Sequence, residues 1–202
     1  NHDPITEGSF AERKQAALQA YHEWMPIRTG DDPNVIYRSF DFGQLLSLHM
    51  LDTRLIGRDK QVSFGELLNP DTAATAQATM GSPTRQMLGG TQLGWLQGQM
   101  QASTATWQVL GQQVLMGNMA FPVSVLSTLE GGDVSAAQAA VTAYLIAKGT
   151  PAELRTPEQV GLMSQPKLGY NLDAWDGYPV ARETVLMTAY QLNKKLITLA
   201  GD

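Results

Sequence analysis

The chain has 202 residues, of which 43% are hydrophobic and 16% are charged, and its formal net charge is −5. These values are typical of a folded globular chain and exclude global disorder. The acidic balance argues against a general nucleic-acid-binding surface, because phosphate backbones are bound by clustered Lys and Arg. The absence of cysteine excludes a disulfide framework, zinc-finger spacing and a thiol nucleophile within this sequence. No stretch approaches the roughly eighteen apolar residues of a membrane span.

In chain order, the first half of the sequence predicts a helix, a β-hairpin, two more helices and a third strand. Cap residues and apolar residues three and four apart indicate the helices, and apolar runs between turn residues indicate the strands. The second hairpin strand is apolar almost throughout, so it is predicted to be central and buried on both faces. The predicted segments are a helix at 9–24, strands at 35–40 and 45–51, a short helix from Ser63, a loop at 69–84, a helix at 92–103 and a strand at 107–116.

The second half continues the alternation of helices and strands. Asp133 leads an Ala-rich helix, and Thr156 followed by Pro157 is typical of a helix start. The alternating order predicts α/β layering around a partly buried sheet, without a linker that divides the chain into two domains. The predicted segments are an irregular stretch at 117–132, helices at 133–149 and from Thr156, a loop at 165–178, a helix at about 179–193 and a strand at 196–199.

The last residues of the sequence place a carboxylate directly after a predicted strand. Residues 196–199 are mostly aliphatic, Ala200 and Gly201 allow a turn, and Asp202 follows. Ligands gather at the carboxyl ends of strands in open α/β folds, and hard cations prefer oxygen ligands. Asp202 is therefore a candidate metal ligand, which also predicts that the sequence is an internal piece of a larger enzyme. The alternative is an ordinary strand that ends in a solvated aspartate.

A second polar step, Asp52-Thr53-Arg54, follows the predicted central strand. A carboxylate and a guanidinium at a strand end suit a metal-bound phosphate, since arginine matches phosphate with a bidentate fork. Asp52 and Arg54 are therefore candidate substrate-binding residues. An internal ion pair that closes the loop is the alternative interpretation.

A third candidate region is the segment 175–178, which precedes the last helix. Asp176 is placed to cap that helix with its carboxylate, and this interpretation is favoured from the residues alone. In the alternative interpretation, Tyr178 and Arg182 face a pocket. Asp176 and Tyr178 are kept as candidate substrate-binding residues.

Two further patterns carry weaker functional signals. The paired glycines between Arg85 and Gln92 precede a helix whose N-terminus is able to hold an anion, but they lack the Lys-Ser/Thr of a nucleotide P-loop. His49 lies within the predicted central strand and is interpreted as a core imidazole with satisfied hydrogen bonds. No G-x-S-x-G nucleophile elbow is present in the sequence.

Six short segments together resemble the PhoD-like alkaline phosphatases, a branch of the metallophosphoesterases. They occur in the order found in that family and span almost the whole chain. The stretch 52–61 is similar to one subgroup. The six segments are 20–28, 51–54, 87–96, 107–114, 175–178 and 199–202.

The resemblance implies an α/β fold, of which this chain would be the central part: a four-layer αββα sandwich around a metal centre. It implies Ca²⁺ and Fe³⁺ as metals, with other divalent metals as alternatives, and hydrolysis of phosphate monoesters and diesters by a metal-activated oxygen nucleophile. It also implies a periplasmic or secreted enzyme that scavenges phosphate, often exported with a twin-arginine signal.

The departures from the family pattern limit which residues can be assigned roles. The early ligand motifs of the family would lie upstream of Asn1, and the His that normally follows Asp202 is absent from the sequence. Only Asp202 carries over as a metal ligand, and Asp52, Arg54, Asp176 and Tyr178 carry over as signature residues without fixed roles. The expected partners are a phosphate ester and the remaining parts of the same enzyme. A non-enzymatic scaffold or binding module that retains the fold is the alternative.

Overall fold

The computed structural model of the chain describes residues 3–201. The helices are α1 (Phe10–Trp24), α2 (Phe64–Leu68), α3 (Ala73–Met80), α4 (Gly89–Ala102), α5 (Val123–Glu130), α6 (Val134–Gly149), α7 (Pro157–Met163) and α8 (Pro179–Gln191). The strands are β1 (Arg38–Phe42), β2 (Leu46–Met50), β3 (Trp107–Gln112), β4 (Ala120–Pro122), β5 (Lys167–Gly169) and β6 (Lys195–Ala200). No helix in this part of the chain is long and apolar enough to cross a membrane.

A four-stranded mixed sheet organises the α/β fold. Its strand order is β1-β2-β3-β6, with β1 antiparallel to β2 and the other three strands parallel. The predicted hairpin and the central position of its second strand are confirmed. Because β2, β3 and β6 are parallel, their carboxyl ends lie along one side of the sheet, which we call the carboxyl edge.

One face of this sheet is covered by α4 and α8. The core between sheet and helices includes Leu96 and Met100 from α4, Leu110 from β3 and Val185 from α8. Each of these side chains is at most 1% exposed. Burial at this level favours the folded state by about 1.5–3 kcal/mol for each large aliphatic side chain.

The buried face also contains a polar network centred on His49. Its Nδ1 lies 2.7 Å from Ser39 Oγ and its Nε2 lies 2.8 Å from Gln108 Oε1. The Gln108 amide donates onward to Ser103 Oγ at 2.8 Å, so its oxygen is left to accept from the imidazole. This places the imidazole proton on Nε2 and confirms the prediction of a satisfied core histidine.

The opposite face of the sheet is apolar and open within the described residues. Phe42, Leu199 and Ile197 are 55%, 56% and 40% exposed, and they align through the strand register with Leu46, Leu48, Met50 and Val109. The prediction that β2 is buried on both faces is therefore wrong for residues 3–201. The aliphatic side chains of β2 lie on this half-exposed face, while Ser47 and His49 point into the core.

A smaller layer is built from β4, β5 and the helices α5 to α7. The two short strands pair antiparallel, and Phe121 packs edge-on against Tyr144 and Tyr170. Asp133 caps α6 by accepting from two backbone N–H groups, and Thr156 forms a capping box on α7. Both helix starts were predicted, whereas the irregular stretch predicted at 117–132 is replaced by β4 and α5.

Candidate functional site

The turn that follows β2 brings Asp52 and Arg54 to the carboxyl edge. Asp52 is 1% exposed, and its Oδ1 accepts from the backbone N–H groups of Arg54 and Leu55 at 2.8 and 2.9 Å. Its Oδ2 is buried and accepts no hydrogen bond from residues 3–201. The carboxylate thus shapes the turn through backbone contacts. The Arg54 guanidinium pairs with Asp173, so the alternative of an internal ion pair is found in the structure, with Asp173 and not Asp52 as its carboxylate.

Two glutamine side chains hold this turn in place. The Gln92 amide accepts from the N–H of Asp52 and donates to its carbonyl, each at 2.8 Å. The Gln113 amide accepts from the N–H and hydroxyl of Thr53 at 2.8 and 2.7 Å and donates to the Leu51 carbonyl at 2.8 Å. Each side-chain amide bonds to main-chain N–H and C=O groups, as the backbone of a neighbouring strand would. These bonds fix the turn beyond the point where the sheet hydrogen bonds of β2 end.

An open pocket lies at the carboxyl edge between this turn and α1. Asp52, Arg54 and Gln113 form its polar side, and the remaining lining residues are Ala17, Leu18, Tyr21, Ile36 and Leu55. Apolar walls with a few fixed polar groups are the usual composition of a small-molecule site. Of the four predicted substrate-binding residues, Asp52 and Arg54 line this pocket, whereas Asp176 and Tyr178 do not.

A cluster of two arginines and one aspartate continues from the turn. Asp173 Oδ2 lies 2.5 Å from Arg54 Nη1, and Asp173 Oδ1 lies 2.6 Å from Arg58 Nη2. Arg58 Nη2 also donates to the Asp173 main-chain carbonyl at 2.6 Å. The Arg58 side chain is 11% exposed, compared with 36% for Arg54. Arg58 is therefore the buried anchor of Asp173, and Arg54 is the arginine that reaches solvent.

Tyr178 joins this cluster to the loop before α8. Its ring is fully buried, and the guanidinium carbons of Arg58 and Arg85 lie 5.1 and 4.3 Å from the ring centroid. Its hydroxyl donates to the Asp59 carbonyl at 2.7 Å. Burial raises the pKa of the Tyr178 phenol, although the neighbouring arginines oppose that shift. The phenol therefore stays protonated and acts as a donor.

Asp176 does not cap α8, in contrast to the interpretation favoured by the sequence. The N-cap position is Tyr178, and that cap has no side-chain hydrogen bond. The Asp176 carboxylate accepts instead from the N–H groups of Met119 and Asn171 at 3.4 and 3.5 Å, and its other oxygen lies 3.6 Å from Arg182. Asp176 consequently ties the β4–β5 layer to the segment that carries Asp173.

The burial of Asp176 predicts a pH-dependent contribution to stability. Desolvation raises its pKa above the ordinary aspartate value, with its hydrogen bonds and Arg182 opposing. The folded state therefore binds this proton more tightly than the unfolded chain, and the stability it contributes is lost as pH rises through the folded pKa. We expect Asp176→Asn to remove that loss, so that the unfolding midpoint of the variant, relative to that of wild type, rises as the pH increases from the ordinary aspartate pKa of 3.8 through the raised pKa of Asp176. Thermal unfolding of both proteins across this range tests it, and parallel midpoints would contradict it.

Comparison with known proteins identifies the family. The sequence model described as PhoD-like phosphatase matches residues 1–202. The chain belongs to the PhoD-like phosphatase family. It is 30% identical over 199 residues to alkaline phosphatase D of Bacillus subtilis (strain 168), covering 96% of this chain and 26% of that protein. A solved structure described as "Structure of PhoD" matches with a TM-score of 0.59 at 30% identity, covering 94% of this chain and 28% of that one. The chain thus spans about a quarter of the length of these relatives.

Membership of the PhoD-like family points to metal use, but residues 3–201 do not form a metal site by themselves. No group of three or more His, Asp or Glu side chains in this range is arranged to hold a metal ion. The one residue predicted from the sequence as a ligand, Asp202, lies outside the described residues. Its predicted position is the carboxyl end of β6, next to β3 in the sheet.

The structure adds four residues to this candidate site of a PhoD-like protein. Gln92 and Gln113 position the turn, and Arg58 and Asp173 place Arg54. A signal for Gln92 was present in the sequence, because a glutamine in the apolar core stripe of α4 needs a buried hydrogen-bond partner. The contact between Arg58 and Asp173 joins two loops 115 positions apart, which no local pattern indicates.

Proposed function

We propose that residues 1–202 form the central portion of a larger catalytic domain. That domain belongs to a metal-dependent phosphoric ester hydrolase that cleaves phosphate mono- and diesters. The observation that supports it most strongly is the match of the family model to the whole chain, together with an arginine at the carboxyl edge. Family membership supports a phosphatase-type hydrolase, and the ester preference and the metal requirement go further than that.

The open apolar face of the sheet supports the proposal that the chain is a part of a larger fold. Aromatic and aliphatic side chains such as Phe40, Phe42 and Leu199 are more than 40% exposed there. An apolar sheet face is stable only when another layer covers it. We propose that a second sheet from the rest of the enzyme packs on it, as in a four-layer αββα sandwich. The chain alone is then expected to aggregate through this face and its sheet edges.

Within the proposed site, Arg54 is the residue placed to bind the phosphate. Arg54 lines the pocket and its side chain is 36% exposed, and a guanidinium binds phosphate oxygens through paired N–H donors. Asp52, Asp176 and Tyr178 are proposed to contribute to substrate binding by holding Arg54 in position. Asp52 sets the backbone of its turn, and Asp176 and Tyr178 fix the segment that carries Asp173.

The metal requirement rests on the family resemblance and on Asp202. We propose Asp202 as one ligand of a centre that holds calcium and iron, with further ligands from residues beyond this chain. When bound, the metals would supply charge neutralisation and an activated oxygen nucleophile. The same resemblance supports export to the periplasm or the medium, where such an enzyme scavenges phosphate.

Hydrolysis of a chromogenic phosphodiester by the complete enzyme tests this function. We expect turnover of bis(p-nitrophenyl) phosphate that is abolished by a chelator and restored by added calcium and iron. The isolated 202-residue chain is expected to show no turnover under the same conditions. Unchanged turnover after chelation would contradict the metal requirement, and no turnover of any phosphate ester by the metal-loaded enzyme would favour a binding module instead.

A further inference from the structure

A buried side-chain amide at the carboxyl edge has one polar atom without a hydrogen bond. Gln112 is the last residue of β3 and is 7% exposed. Its Oε1 accepts from the indole N–H of Trp175 at 2.8 Å, whereas its Nε2 is buried and makes no hydrogen bond within residues 3–201. Buried donors are nearly always hydrogen-bonded in folded proteins, because an unbonded one is costly. We therefore expect Gln112 Nε2 to have an acceptor beyond these residues.

The contact with Trp175 determines which end of the amide needs that partner. The indole N–H only donates, so the atom that faces it is the amide oxygen of Gln112 and not the nitrogen. Trp175 is fully buried, which holds the amide in this orientation. Gln112 therefore presents a donor at the carboxyl edge, and its partner must be an acceptor.

The neighbouring strands narrow the choice of acceptor. Gln112 lies beside Ala200 of β6 in the strand register, and on its other side Leu51, which follows β2, belongs to the apolar core. Neither of these two side chains can accept a hydrogen bond. Because side chains alternate between the faces of a strand, the next position of β6 on the face of Gln112 is two residues beyond Ala200. That position is Asp202, whose carboxylate is an acceptor.

We propose that Gln112 is a positioning residue, which donates from Nε2 to the carboxylate of Asp202 and holds that carboxylate in place for metal binding. This inference rests on the proposed function, since it takes Asp202 as a metal ligand. An amide N–H group donates hydrogen bonds and does not ligate a cation, so Gln112 does not compete with the carboxylate for the metal. Carboxylates that bind metals are commonly held by such outer hydrogen bonds.

The calcium affinity of the complete enzyme tests this role without using turnover. The enzyme is stripped of metal with a chelator, and calcium alone is titrated into it and measured by calorimetry. Gln112→Met keeps a side chain of similar length and removes the donor. We expect its calcium dissociation constant to be about 10–100-fold higher than that of wild type, as for other outer partners of metal ligands.

Gln108 provides a matched control for this substitution. It is fully buried four positions earlier on the same face of β3, and its amide bonds to His49 and Ser103. Gln108→Met also removes a buried amide and leaves its partners unbonded, but at the other end of the strand. Its calcium dissociation constant is expected to stay within about twofold of wild type. An equal loss of affinity in both variants would show that damage to the core, and not the hydrogen bond, causes it.

A crystal structure of the complete wild-type enzyme tests the contact itself. We expect Gln112 Nε2 to lie about 3 Å from a carboxylate oxygen of Asp202. A nitrogen that bonds only to water or to another residue would overturn the inference, as would an unchanged calcium affinity in Gln112→Met. No calcium binding by the wild-type enzyme would instead contradict the proposed function.

Discussion

Replacing Gly57 with alanine is expected to destabilise the enzyme by about 3 kcal/mol and to lower its unfolding midpoint by a few degrees. A Cβ at Gly57 would lie 2.3 Å from the main-chain N and Cα of Gly89 and 2.5 Å from the Leu88 carbonyl oxygen. All three contacts are with backbone atoms, so no side chain can rotate to make room. The loop carrying Arg54 and Arg58 must separate from the start of α4.

Gly98 provides a matched control for this substitution. It lies inside α4, where an added Cβ would meet no atom within 4 Å. Gly98→Ala is expected to raise stability by about 0.5–1 kcal/mol, because alanine is the better helix former. Thermal unfolding of the two variants followed by circular dichroism measures both effects. Similar midpoints for the two variants would show that the close approach of Gly57 to Gly89 does not exist in solution.

Replacing Arg54 with alanine is expected to lower kcat/KM for a phosphodiester at least about a hundredfold. The substitution removes the only guanidinium that lines the pocket among the described residues. Arg54→Lys is expected to recover part of the loss, since lysine restores the charge without the bidentate fork. Steady-state kinetics on the complete enzyme measure these changes, and unfolding midpoints show whether the fold is preserved.

The control for Arg54 is an arginine that is bonded to the protein elsewhere. Arg155 donates to the carbonyls of Ala147 and Thr150 at the end of α6, and it does not line the pocket at the carboxyl edge. Arg155→Ala is expected to leave turnover within about twofold of wild type, as for most substitutions far from a site. A similar loss in both variants, or no loss in Arg54→Ala, would remove Arg54 from the phosphate-binding role.

The sequence predicted the elements whose burial produces a visible pattern. The strands β2, β3 and β6 and the helices α1, α4, α6 and α8 all lie where apolar runs or helical spacing indicated them. The third strand was predicted to reach 116 but ends at Gln112, because Val114 and Met116 are buried in the core outside the sheet ladder. An apolar run reports burial and does not distinguish a paired strand from a packed loop.

The elements that the sequence did not predict bury few side chains, or bury side chains that are not spaced at the helical period. Helix α3 was predicted as loop, since it is built from Ala, Thr, Gln and Met, and only Ala76 is buried. Helix α5 buries Val125 and Leu126, which are adjacent and form no stripe at helical spacing. Helix α1 was predicted correctly although the interaction used to predict it is absent. The helix begins at Phe10, but the Ser9 side chain makes no capping hydrogen bond.

The candidate site was predictable only in its parts that follow a strand directly. Asp52 and Arg54 were identified because topology places strand ends together. The contacts that fix them come from Gln92, Gln113 and Asp173, which lie 40 or more positions away in the chain. Such long-range contacts depend on the packing of loops, and neither composition nor periodicity encodes that packing locally.

The most direct test of the proposed site is a crystal structure of the complete enzyme with inorganic phosphate. We expect a phosphate oxygen within about 3 Å of the Arg54 guanidinium at the carboxyl edge, with Asp202 among the ligands of a nearby metal ion. Arg58 should retain its contacts with Asp173 when phosphate is bound. A phosphate bound elsewhere, without contact to Arg54, would contradict the assignment of the carboxyl edge as the substrate site.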